Sequence, residues 1–103
     1  MYHIYIIYSE THDRYYIGHT NDVIRRLQEH NTNPRMTYTH KFGSWILKAS
    51  FPVNANRGDA IKIERYIKRL KSRKVIERLI SEPGYFKKMA QLVFPQGGTT
   101  CLD

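Results

Sequence analysis

Residues 2–8, Tyr-His-Ile-Tyr-Ile-Ile-Tyr, are β-branched or aromatic throughout, a composition that favours a strand. Alternation puts Tyr2, Ile4, Ile6 and Tyr8 on one face and His3, Tyr5 and Ile7 on the other. Apolar residues on both faces predict a central strand covered on both sides. The polar run Ser9–Arg14 reads as a hairpin loop. A second strand, Tyr15–Ile17, follows and ends at Gly18. Thr20 and Asn21 are candidate N-caps with Asp22 favourable in the first turn. Val23, Leu27 and His30 then share one helix face, with Ile24 at its margin. The helix stops over Asn31–Pro34, because the residue before a proline resists helical geometry.

Residues 31–43 read as a polar loop, and Ser44–Phe51 as a third strand stopped by Pro52. Asp59 opens a long helix in which Ala60, Ile63, Ile67 and Leu70 form one buried stripe. Ser72 caps a second helix carrying Val75, Ile76, Leu79 and Ile80, broken by Pro83-Gly84. A last amphipathic piece, Tyr85–Phe94, precedes a Gly/Thr-rich tail. The expected order is β-β-α-β-α-α: a small α/β (α+β) domain on a three-stranded, mostly antiparallel sheet. One domain is expected over residues 1–94, with a flexible tail over 95–103.

Charge adds a partner to this picture. The chain has 103 residues with 17 Lys+Arg against 9 Asp+Glu, a formal net charge of +8. A basic balance of that size points to an anionic partner, most simply nucleic acid. Cys101 is the single cysteine, so no internal disulfide or multi-cysteine zinc site is expected; a free surface thiol and a reducing, cytoplasmic compartment are. The N-terminal run has no basic region ahead of it and stops at Ser9, so no signal peptide is read there. No apolar stretch approaches the ~18 residues of a membrane helix, so no membrane partner is expected.

Five side chains stand out from the scaffold. Tyr5 and Tyr16 lie on strands joined by a hairpin, and converge if the register puts them on one face. Arg26 and His30 are four apart on the first helix, on one flank. Glu64 sits at the margin of the long helix's apolar stripe, where a carboxylate can turn towards a cleft and hold a divalent cation. Each has an ordinary alternative: core tyrosines, a solvated arginine, a histidine at a helix end, and a Glu64–Lys68 surface pair.

Their order and spacing change the balance. The pattern His3-Ile4-Tyr5, ten residues, then Tyr16-Ile17-Gly18 resembles the signature of the GIY-YIG nuclease family. Arg26 matches that family's arginine ten residues after the second tyrosine, His30 its histidine one turn later, and Glu64 its metal-binding glutamate. The strings Asn21–Asn31 and Ala60–Lys74 are similar to the family too, in particular to its small stand-alone members. The resemblance covers residues 2 to about 80. His3 departs from it, standing where the family name has glycine. It implies a divalent-metal-dependent endonuclease that hydrolyses phosphodiester bonds. Glu64 would hold one Mg²⁺ or Mn²⁺, and Arg26 would bind the scissile phosphate. One tyrosine, usually the first (Tyr5), would be the general base once cations had depressed its pKa, and Tyr16 would orient water or phosphate. His30, or less readily His19, would tune or relay the base's proton.

The charge fits such a site. Arg57–Arg78 holds nine Lys/Arg and three acids. Arg65, Lys68, Lys71, Arg73 and Lys74 read as a phosphate track, joined by Arg35, Lys41 and His40 from the 31–43 loop. The length leaves no room for a separate recognition domain, so little sequence preference is expected. The expected substrate is DNA, branched or flapped forms included, with RNA an open alternative; no protein partner is read. The rival reading is a nucleic-acid-binding accessory module that kept the fold without turnover.

Overall fold

The computed structural model describes residues 1–54 and 56–94. Its elements are β1 (His3–Ser9), β2 (Arg14–Thr20), α1 (Val23–Thr32), α2 (Thr37–Lys41), β3 (Ile46–Pro52), α3 (Arg57–Leu70), α4 (Arg73–Ser81) and α5 (Tyr85–Val93). The sheet is antiparallel with strand order β2-β1-β3. β1 is therefore central, and its apolar residues on both faces find two separate cores. Ile4 and Ile6 meet Ile17, Ala60, Ile63, Ile67, Leu79, Phe86 and Met89 beneath α3, α4 and α5. Tyr5 and Ile7 meet Trp45 on the opposite face, flanked by Tyr16, Val23, Leu27 and Phe42. The buried centre of the first core is mainly aliphatic; the second is aromatic and holds the buried polar side chains His30 and Thr39 beside it.

Several boundaries differ from the sequence reading, each for a local reason. β2 does not end at Gly18 but runs on to Thr20, paired with His3. The cap of α1 is Asp22, whose carboxylate accepts from the Arg25 N–H, while Thr20 closes the strand and accepts from the Asp22 N–H. Asn56, not Asp59, caps α3 by accepting from Gly58. β3 begins at Ile46, because Trp45 is buried in the aromatic core and its backbone is held by Asn31. The polar 31–43 segment contains a helix, α2, so the order is β-β-α-α-β-α-α-α. Leu70 is 40% exposed, so the α3 stripe ends at Ile67. Ser72 caps α4 as expected, accepting from the Val75 N–H. Cys101 and the 95–103 tail lie outside the described residues.

The β1–β2 turn is tied to α4 by charge. Asp13 takes a left-handed φ of 53°, which Asp tolerates better than most residues. Its carboxylate accepts from Tyr8 and from Arg73, which also donates to the Asp13 carbonyl at 3.1 Å and to Glu77. That network holds the turn against the helix face.

Candidate active site

The β1–β2 register pairs Tyr5 with Gly18 and Ile7 with Tyr16, so both tyrosines share the α1 face. Their ring centres are 6.5 Å apart. Gly18 is in this strand for a steric reason and not as a turn. The Tyr5 ring crosses directly over it, and a Cβ there would lie 2.5 Å from Tyr5 Oη and 2.7 Å from Cζ.

Tyr5 is 1% exposed, and its hydroxyl ends in a buried chain: Tyr5 Oη to His30 Nε2 at 2.6 Å, then His30 Nδ1 to Thr39 Oγ1 at 2.8 Å. One tautomer of His30 gives every group in the chain a partner: Thr39 gives its hydroxyl proton to the Met36 carbonyl at 3.4 Å, and Oγ1 accepts from His30 Nδ1–H. His30 Nε2 is then the acceptor, and Tyr5 donates to it. Trp45 Nε1 donates to the Thr39 carbonyl at 2.6 Å, so α2 is fastened on both sides of the histidine.

This arrangement corrects the expected electrostatics. Burial raises the Tyr5 pKa, and the Arg26 guanidinium beside it only partly opposes that. Nor is His30 a cation that depresses the tyrosine: burial first, and the Arg26 charge second, push its pKa down to about 4. His30 is a neutral proton acceptor. Unfolded chains take up this proton near pH 6.5 and the native protein only near 4, so stability falls as pH drops through that window. The loss amounts to about 2 kcal/mol by pH 5. Urea denaturation at pH 7.5 and pH 5 should show this loss in the wild type and a clearly smaller one in His30→Gln.

Glu64 reaches the same edge from the other face. Because β2 continues past Gly18, His19 points to the α3 side and meets Glu64, Nδ1 to Oε1 at 2.6 Å. Lys68 contacts the other carboxylate oxygen at 2.8 Å, and its ammonium stands 5.1 Å from the Tyr16 ring centre. The site therefore wraps round the β2 edge. Arg26, His19 and Arg57 line a depression of about 260 Å³ on one side. Tyr16, Lys68 and Lys71 line a trough of about 390 Å³ on the other. Tyr5 lies beneath the surface, behind Arg26 and Tyr16, rather than on the wall of either.

Most of the side chains singled out by sequence come together here; the basic residues divide. Lys68 and Lys71 line the trough, and Arg35 lines a neighbouring hollow with Tyr16 and Tyr38. Lys41 lies 5.5 Å from the Phe42 ring centre. Arg73 also borders the trough, but its guanidinium is taken up by Asp13 and Glu77, which removes it from a track of unpaired cations. Arg65 and Lys74 are exposed and line neither hollow. Two residues that sequence reasoning underrated are Arg57, whose Nε lies 3.4 Å from His19 Nε2, and Thr39.

Among the described residues no three His, Cys, Asp or Glu side chains converge, which does not suit a zinc-type site with three or four protein ligands. A hard cation is different: it takes one or two carboxylates and completes its shell with water and substrate phosphate. Glu64, 16% exposed, is the carboxylate at this edge that could take that role, with His19 and Lys68 giving up its oxygens to the cation.

A tyrosine pair, an arginine and a carboxylate gather round one strand edge of a small three-stranded α/β domain. A family model described as the GIY-YIG catalytic domain matches residues 1–77, so the chain belongs to that family and has a nuclease-type fold. No curated protein and no solved structure matches it. Nuclease families act on nucleic acid, which agrees with the net charge of +8. No helix among the described residues is long and apolar enough to cross a membrane.

Proposed function

We propose that the protein is an endonuclease that hydrolyses phosphodiester bonds in DNA with little sequence preference. The observation that carries this reading is the placement of Arg26 between the buried Tyr5–His30 pair and the surface hollow shared with His19 and Arg57. Arg26 takes the scissile phosphate through its planar fork and stabilises charge growing on the phosphoryl oxygens. Arg57 offers a second cation at the same hollow. Glu64 would hold one Mg²⁺ or Mn²⁺, which supplies charge neutralisation at the phosphate when bound.

The water-activating role moves, in this reading, from Tyr5 to Tyr16. Tyr5 has no path to solvent and gives its proton inward, so it is a positioning residue that fixes the floor beneath Arg26. Tyr16 borders the trough, where its hydroxyl orients the water and its phenolate form takes the water's proton. The water oxygen bonds to phosphorus as the ester P–O bond breaks, and the leaving oxygen takes a proton from solvent.

Nicking of supercoiled plasmid by purified protein tests the function. Wild type with Mg²⁺ or Mn²⁺ should convert the plasmid, and EDTA or Glu64→Gln should stop it. Salt-sensitive DNA binding with no conversion under any ion would identify a binding module instead. Equal slow conversion by wild type and Glu64→Gln would mean contamination.

A further inference from the structure

We propose that the strip running outward from Tyr16 is a platform on which an unpaired nucleobase of the substrate stacks. This rests on the nucleic-acid reading above and narrows it to strands with unpaired nucleotides next to the cleavage site. The observation is a row of rings leading away from Tyr16, of which Tyr38, Phe42 and His12 have no part in the hydrolytic chemistry. Tyr16 and Tyr38 lie 6.5 Å apart between ring centres, Tyr38 and Phe42 5.0 Å, and Phe42 and His12 5.0 Å. Tyr38 is 50% exposed and is the only exposed Tyr, Phe or Trp among the described residues. A ring held at the mouth of a hollow, rather than packed into the core it borders, is a surface for another flat group.

Cations accompany the rings along the strip. Arg14 sits 4.4 Å from the Phe42 ring centre and reaches the Tyr38 hydroxyl, Lys41 lies 5.5 Å from the same ring, and Lys68 lies over Tyr16. Arg35 shares the adjoining hollow with Tyr38. The one acid on the trough, Asp13, is neutralised by Arg73. Aromatic faces flanked by cations are the pattern that grips single strands, rings taking bases and cations taking phosphates. Duplex DNA offers such a surface only phosphates and groove edges, since its base faces are hidden in the stack. The strip also starts at Tyr16, so a base on Tyr38 would place its neighbouring phosphate towards the trough.

Fluorescence anisotropy with a labelled oligothymidylate of about 15 nucleotides, beside a blunt duplex of equal length, tests this without added divalent ion. Tyr38→Ala should weaken binding of the single strand by at least about fivefold, the lower end for one base–aromatic stack, and leave the duplex unchanged. Tyr38→Phe and Tyr38→Trp, which keep a ring, should bind the single strand like the wild type. The platform is overturned if the wild type does not bind the single strand, if Tyr38→Ala weakens both ligands equally or neither, or if Tyr38→Phe is as weak as Tyr38→Ala. The nuclease reading fails separately: the expected binding pattern with an uncut plasmid would leave the platform standing and remove only turnover.

Discussion

Arg26→Ala is expected to slow plasmid nicking by about 10²–10³-fold, the usual cost of removing one preorganised donor from a transition-state site. The fold should be untouched. Arg26 is partly exposed and its one close carboxylate is Glu29, at 3.0 Å and three residues along the same helix. Exposed pairs of that kind contribute about 0–1 kcal/mol. Its value lies in where the guanidinium is held: Tyr5 beneath, the arginine-lined hollow above, Glu29 on its flank. Arg26→Lys should recover little of the lost rate, because a single ammonium cannot make the two-pronged contact of a guanidinium with phosphate. The measurement is single-turnover nicking together with thermal melting of each variant. An alanine variant that melts like the wild type and cuts as fast would remove Arg26 from the chemistry.

The largest structural effect should come from the smallest change, Gly18→Ala. An added methyl would meet the Tyr5 phenol ring at 2.5–2.9 Å on three atoms, and that ring has nowhere to go. It is pinned by the His30 hydrogen bond and packed against Ile7 and Trp45. Overpacking of this kind costs about 1–3 kcal/mol, a fall in Tm of roughly 5–20 °C for a domain of this size. If Tyr5 is displaced, the support beneath Arg26 goes with it, so the surviving folded protein should also cut slowly. A Gly18→Ala protein with wild-type Tm would show that the ring does not lie over this strand position.

That glycine also shows how far the sequence could be read. The two-sided apolar pattern of residues 2–8 made β1 the centre of the sheet, and it is, because helices cover both of its faces. Ser72 and the Ala60/Ile63/Ile67 stripe were legible for similar reasons: caps and periodic burial leave a local signal. Gly18 looked like a terminator because glycine usually punctuates strands. Its actual cause, a ring from the neighbouring strand, is set by register and leaves no mark nearby. Stopping β2 there hid the alternation that turns His19 towards Glu64. The 31–43 segment was opaque for a related reason. It is fixed by side-chain-to-backbone bonds, Asn31 to Trp45 and Trp45 to Thr39, which have no period. Thr39, the partner that orients His30, was therefore invisible among other polar residues.

In the proposed reading the roles of the two tyrosines separate only in three dimensions. In the sequence both are strand aromatics beside a basic helix. In the fold one is sealed under the site with a neutral histidine as its proton acceptor, and the other faces a trough lined by lysines. The resemblance that assigns the base to the first tyrosine carries no information about burial, and the proposed exchange of roles rests on that burial.

The central claim is that water, oriented at the β2 edge, attacks a phosphate held by Arg26. Cleavage of a short DNA substrate in oxygen-18 water, followed by mass spectrometry of the products, tests it most directly. The account predicts one oxygen-18 atom in the terminal phosphate of the product and no nucleotide attached to the protein. An unlabelled phosphate together with a nucleotide covalently bound to Tyr16 would contradict it, making the tyrosine the nucleophile and not the group that activates water.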